Sequence, residues 1–172
     1  MEQLELTYIR NKDFNSLKTL YENMSMTNPN GFYKLGKMYE HGIVCKRDYD
    51  TACDYYKQGV EKNHTECMIS LAHIYSDRGD HEYAKGLYEL AFNHGNDDGY
   101  YYLGLMYEFG EGVELDYNKA LECYKKSVKS NDKCGLYSLV NLYKKCQDKF
   151  DKTDVVSYLE SIGRIDLVKS IY

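Results

Sequence analysis

Tryptophan is missing from this 172-residue chain and proline occurs once. With a single proline and 43% apolar residues, extended disorder is not expected. Long apolar runs are missing as well. Nothing approaches the roughly 18 consecutive apolar residues of a membrane-spanning helix. Glu2, Glu5 and Arg10 interrupt the short apolar steps at the start, so no signal-peptide core is expected there. There is no excess of positive charge: 27 Asp and Glu face 22 Lys and Arg, for a net charge of −5. Both signs are interspersed, which argues against nucleic acid as a partner.

The signatures of catalysis and metal binding are absent too. The chain has no H-E-x-x-H, no phosphate-binding glycine loop after a strand, and no G-x-S-x-G. Its 6 cysteines contain no C-x-x-C. The nearest pairs, Cys45/Cys53 and Cys134/Cys146, lack a usual zinc spacing. The histidines, His41, His64, His73, His81 and His94, are scattered. No cofactor, no metal site and no catalytic residue is expected, and thiols rather than disulfides are the expectation for the cysteines. A cytoplasmic protein without membrane attachment fits these absences.

What the chain has in abundance is tyrosine, 20 residues of it, and the tyrosines recur in register. The stretch Gly99 to Asn131 is the template. Leu103, Gly104 and Tyr107 share one helical face, as do Ala120 and Tyr124 on a second helix. Gly110 and Gly112-Val113 supply a turn, Asp116 is placed to cap the second helix, and Asn131 to end it. Gly104 inside a helix costs about 1 kcal/mol against Ala, which implies a close approach that a side chain would block.

The same plan repeats along the chain. Leu35, Gly36, Tyr39, Gly42, Asp48, Ala52 and Tyr56 reproduce it with the same Leu-to-Ala separation, Val44 and Cys45 standing in the turn. Leu71, Tyr75, Asp80, Ala84, Tyr88 and Gly95 reproduce it with a shorter turn. Leu4, Tyr8, Asp13, Leu17, Tyr21 and Asn28 form a weaker first copy. Leu139 and Tyr143, then Asp151, Val155 and Gly163, form a last one, followed by a short terminal helix from Ile165 that carries Leu167, Val168 and Ile171. The copies span about 1–30, 31–66, 67–98, 99–134 and 135–172, in one domain. Ten main helices and a capping helix are expected, with Leu35, Leu71, Leu103 and Leu139 buried at equivalent sites.

The order Leu-Gly, Tyr, Gly, Gly-Val, Asp and Lys-Ala in Leu103-Gly104, Tyr107, Gly110, Gly112-Val113, Asp116 and Lys119-Ala120 resembles the Sel1-like repeat, a relative of the tetratricopeptide repeat. The resemblance implies an all-α superhelical solenoid of about five helix-turn-helix repeats that serves as a protein–protein interaction scaffold or adaptor. Some cysteine-rich relatives staple each repeat with a disulfide, and a hydrolase reading attaches to that branch. The irregular cysteines here do not carry either feature over. A self-associating structural protein is the other alternative.

Tetratricopeptide-like stacks line their concave side with first helices. That implies a groove row of Tyr33, Ile69, Tyr101 and Tyr137, two residues before each Leu, and of Lys37, His73, Leu105 and Asn141, two residues after it. Packing against the next repeat is the competing reading for these tyrosines. A protein or peptide segment is the expected partner, since Tyr offers contact area and a hydroxyl at low rotamer cost.

Overall fold

The computed structural model describes residues 2–43, 46–128 and 133–169. Cys45, Asn131 and Ile171 lie outside the described residues. Among the described residues there is no strand. Helical hairpins follow one another: α1 (Glu2–Asn11) with α2 (Phe14–Ser25), α3 (Asn30–His41) with α4 (Tyr49–Glu61), α5 (Thr65–Asp77) with α6 (His81–Asn93), α7 (Asp98–Phe109) with α8 (Tyr117–Ser127), and α9 (Lys133–Lys145) with α10 (Lys152–Ser161). A 3-10 turn, Gln147–Lys149, precedes α10, and α11 (Ile165–Val168) follows it. The chain divides into two compact units, Met1–Asn96 and Asp97–Tyr172.

One device closes the turn in four hairpins. The Tyr that follows each Leu by four residues offers its carbonyl to the N–H of the capping Asp: Tyr8 to Asp13, Tyr39 to Asp48, Tyr75 to Asp80 and Tyr107 to Asp116, at 2.9–3.0 Å. Short and long turns therefore end at the same bond. The Asp carboxylate then accepts first-turn N–H groups that have no partner within the helix. Asp13 accepts from Ser16, Asp48 from Asp50 and Thr51, Asp80 from Tyr83, Asp116 from Asn118 and Lys119, and Asp151 from Thr153. All five caps occur where the spacing predicts them. In the long turns Gly42 and Gly110 end α3 and α7 at φ +67° and +70°, a region that a side chain disfavours.

In the first unit α3 packs on α2 and α4, and α5 on α4 and α6; in the second, α9 packs on α8 and α7. Each unit is thus a stretch of α-α solenoid. Leu35, Leu71, Leu103 and Leu139 are all buried, as are Ala52, Ala84 and Ala120. Gly36 and Gly104 explain themselves. A Cβ on Gly36 would stand 2.2 Å from the Tyr56 ring, and one on Gly104 would stand 2.5 Å from the Tyr124 ring. The glycines are the seats of fully buried tyrosines.

The first copy departs from expectation. Leu4 is 44% exposed, and α1 buries no residue at all. It packs mainly against its own partner helix, with Glu5 reaching Lys34 of α3, while Leu17 and Tyr21 of α2 are buried against α3. The terminal helix also differs: Ile165 is exposed and Val168 carries the burial.

Candidate partner-binding site

The second-helix tyrosines are not merely apolar wedges. Tyr21, Tyr56 and Tyr124 each donate from the hydroxyl to a carboxylate sixteen residues earlier, on the first helix: Glu5 at 2.7 Å, Glu40 at 2.5 Å and Glu108 at 2.7 Å. A lysine completes each group. Lys34 pairs with Glu5, Lys37 with Glu40 at 3.0 Å, and Lys145 with Glu108 at 3.5 Å. Burial, then the hydrogen bond to the carboxylate, pushes all three hydroxyls far above the ordinary tyrosine range. Burial works against ionisation of Glu5 and Glu40. Donors outweigh it, Lys34 then Tyr21 for Glu5 and Tyr56 then Lys37 for Glu40, and hold both carboxyls below their usual value.

Tyr21, Lys34 and Lys37 of the two first-unit groups line a cavity of about 430 Å3. Ile9 of α1 forms one wall, with Phe14, Leu17 and Tyr21 of α2. Tyr33, Lys34, Lys37 and Met38 of α3 form the other, with Ile43 beyond its end. The lysines are placed by carboxylates and by ring faces. Lys34 Nζ lies 5.2 Å from the Tyr21 ring centroid and Lys37 Nζ 5.9 Å from that of Tyr33. Tyr33 is itself fixed, stacked on His64 at 5.8 Å and tilted against Tyr56 at 6.4 Å.

The predicted groove residues sort into different surroundings. Tyr33 and Lys37 line the cavity together. His73 is half-buried; burial, and then the charge of Lys37, hold its imidazole below the ordinary value. Ile69 is a core residue at 8% exposure, because α5 is covered by α4, α6 and α3 and buries seven side chains in a row from Cys67 to Ile74 apart from His73. In the second unit Tyr101 and Leu105 are half-buried and pack against the core around Tyr124, Leu139 and Tyr143. Tyr101 lies 6.2 Å from the Tyr124 ring and edge-on to Tyr102 at 5.0 Å. Tyr137, at 61%, and Asn141 are exposed.

The anchor tyrosines of the first helices are half-buried, with Tyr143 as the buried member. Each meets its own hairpin: Tyr39 stacks on Tyr55 at 5.6 Å, Tyr75 meets Tyr83 edge-on at 4.6 Å, and Lys119 lies over Tyr107 at 5.4 Å.

Sequence reasoning missed the Tyr–Glu–Lys groups and Lys34. The signal was the repeated sixteen-residue separation from Tyr back to Glu. It was hidden because Glu40 and Glu108 follow the anchor Tyr of long-turn copies, whereas Glu5 stands at the glycine position of a short-turn copy.

The arrangement offers burial and paired charges rather than a reactive pair. Burial pushes the Cys67 thiol up to about 12, far from a nucleophile's range. Cys53, Cys67 and Cys146 are buried thiols. No group of three or more His, Cys, Asp or Glu that could hold a metal ion occurs among the described residues. No helix among them is long and apolar enough to cross a membrane.

The family model for the Sel1 repeat matches residues 33–64, 65–96 and 97–132, more than half of the chain. No curated protein matches in sequence. Among solved structures, a Sel1 repeat protein from Oxalobacter formigenes is similar at 20% identity and a TM-score of 0.71, over 87% of this chain and 63% of that one. The protein c5321, a protective antigen of uropathogenic Escherichia coli with an SLR fold, is similar at 23% identity and a TM-score of 0.73, over 92% of this chain and 36% of that one. The chain thus spans less than two thirds of either. At these identities the two structures speak for the fold, an all-α helical-repeat solenoid. The three matched repeats place the chain in the Sel1 repeat family.

Proposed function

We propose that the chain is a non-catalytic adaptor that binds a segment of a protein partner in the cavity between α1, α2 and α3. The observation that carries this reading is the apolar cavity with Tyr33 and Lys37 on its wall. Two of the residues expected from sequence to face a ligand come together there. Ile9, Phe14 and Met38 offer burial to an apolar side chain of the partner, and Lys34 and Lys37 offer donors to its backbone or carboxylates. Tyr33 is held by His64 and Tyr56, so little rotamer freedom is lost on binding. Arrays of paired helices present surfaces of this kind to partners.

Affinity capture from the native source tests the reading, with the wild-type protein and Tyr33→Ala/Lys37→Ala as parallel baits. A partner retained by the wild type and lost from the double variant supports it. The same partner on both baits, with the double variant folded, removes this cavity from consideration.

A further inference from the structure

The second helices of the five copies invite comparison position by position, because each is set by its capping Asp. Three, six and ten residues after that Asp, a single face of the helix recurs. In α2 it carries Ser16, Thr19 and Asn23; in α4, Thr51, Asp54 and Gln58; in α8, Lys119, Glu122 and Lys126; in α10, Asp154, Ser157 and Ser161. Polar residues hold this face everywhere except α6, which carries Tyr83, Gly86 and Leu90. Tyr83 is 49% exposed.

Gly86 sharpens the contrast. Gly31, Gly36, Gly59 and Gly104 lie where an added Cβ would stand under 3 Å from a neighbour, whereas one on Gly86 would meet nothing within 4 Å. A mid-helix glycine is unfavourable by roughly 0.5–1 kcal/mol against Ala, and packing within the protein gives no reason for it. The space beside it is a groove of about 480 Å3, floored by Val60, Leu87 and Leu90 and flanked by Tyr83. Its charged residues are Asp80 and Glu82, both acidic. An apolar strip with a glycine fits a helix packed at close range, and an acidic end calls for a base opposite it.

We infer that the outer face of α6 is a second docking surface, separate from the cavity on α3, and that its occupant is a helical segment of a protein partner whose apolar ridge is flanked by Lys or Arg. The ridge crosses α6 at Gly86, Leu90 and Val60 receive its apolar side chains, and Glu82 meets its cation.

Peptides selected on the intact protein from a displayed random library test this. Their affinities would be compared on the wild type, Gly86→Gln/Leu90→Gln, Glu82→Lys and Tyr33→Ala, with melting curves for each. The double substitution restores to α6 the polar character of the other second helices, at a position with open space, so the fold is expected to persist. A class of basic, apolar peptides that becomes helical on binding, weakens at least tenfold on the double variant and on Glu82→Lys, and ignores Tyr33→Ala supports the surface. Peptides that bind the folded double variant as tightly as the wild type overturn it, as do peptides without basic enrichment. Peptides sensitive to Tyr33→Ala alone overturn it while leaving the α3 cavity standing. A wild-type dimer that becomes monomeric in the double variant makes a second copy the occupant and also overturns it.

Discussion

The second and third copies lie in the same unit and share Leu, Tyr, Asp, Ala and Tyr at matching places, yet they solve the centre of the hairpin differently. The second has Gly36 under a buried Tyr56 ring, with Glu40 taking the hydroxyl. The third has Ala72 where Gly36 stands and Ser76 where Glu40 stands, and there Tyr88 meets the His73 ring at 5.8 Å while Ser76 approaches His81 at 3.4 Å. The comparison separates what these two copies share, a Leu, a small residue and an aromatic, from what differs between them, the polar partner at the end of the ring.

The largest expected effects fall on the shared part. Leu35→Ala and Leu71→Ala should each cost about 2–5 kcal/mol of stability, the range for truncating a buried leucine. Denaturant unfolding measures both. A cost below about 1 kcal/mol at either site would break the equivalence of the two copies, since it would fall outside that range.

Gly36→Ala should be net destabilising by about 1–3 kcal/mol, because the overpacking against Tyr56 outweighs the helix gain. The reciprocal Ala72→Gly should cost about 1–2 kcal/mol, because a fully buried methyl is lost as well as backbone order. The pair of melting curves sharpens the comparison: stabilisation by Gly36→Ala would mean that the tyrosine seat is looser than its distances imply.

Acid titration distinguishes the polar ends. The carboxyls of Glu5 and Glu40 titrate below the ordinary value of 4.5. Their contribution to stability is therefore complete above the unfolded value and is lost as pH falls through the folded one. Tyr21→Phe/Tyr56→Phe removes the donors and should make the acid limb shallower, at a neutral-pH cost of about 0.5–1.5 kcal/mol per hydrogen bond. The third copy, with Ser76 in place of the carboxylate, adds no such limb, so Ser76→Ala should leave the slope unchanged.

Much of the hairpin was legible because its determinants are local. The Asp caps, the left-handed Gly42 and Gly110, and the Leu–Tyr and Ala–Tyr spacings each depend on residues within a few positions of one another. Side-chain direction across helices was less legible. Offset from Leu placed Tyr33, Ile69, Tyr101 and Tyr137 in one class, but α5 is covered on three sides and buries Ile69, while Tyr137 is open. Spacing also concealed the Glu5 equivalence, because a difference in turn length is offset by one helical turn.

The smallest effect concerns α6. Gly86→Ala should stabilise the protein by about 0.5–1 kcal/mol, since helix propensity improves and nothing stands near the added Cβ. The matching change at Gly36 goes the other way, so the opposite signs of the two glycines sharpen the contrast between the copies.

The central claim is that the α3 cavity holds the partner. Calorimetric titration of the captured partner segment into wild-type protein and into Tyr33→Ala/Lys37→Ala tests it most directly, beside melting curves of both. The account predicts at least a tenfold loss of affinity, about 1.4 kcal/mol, with the double variant still cooperatively folded. Equal affinity for the two folded proteins would contradict it.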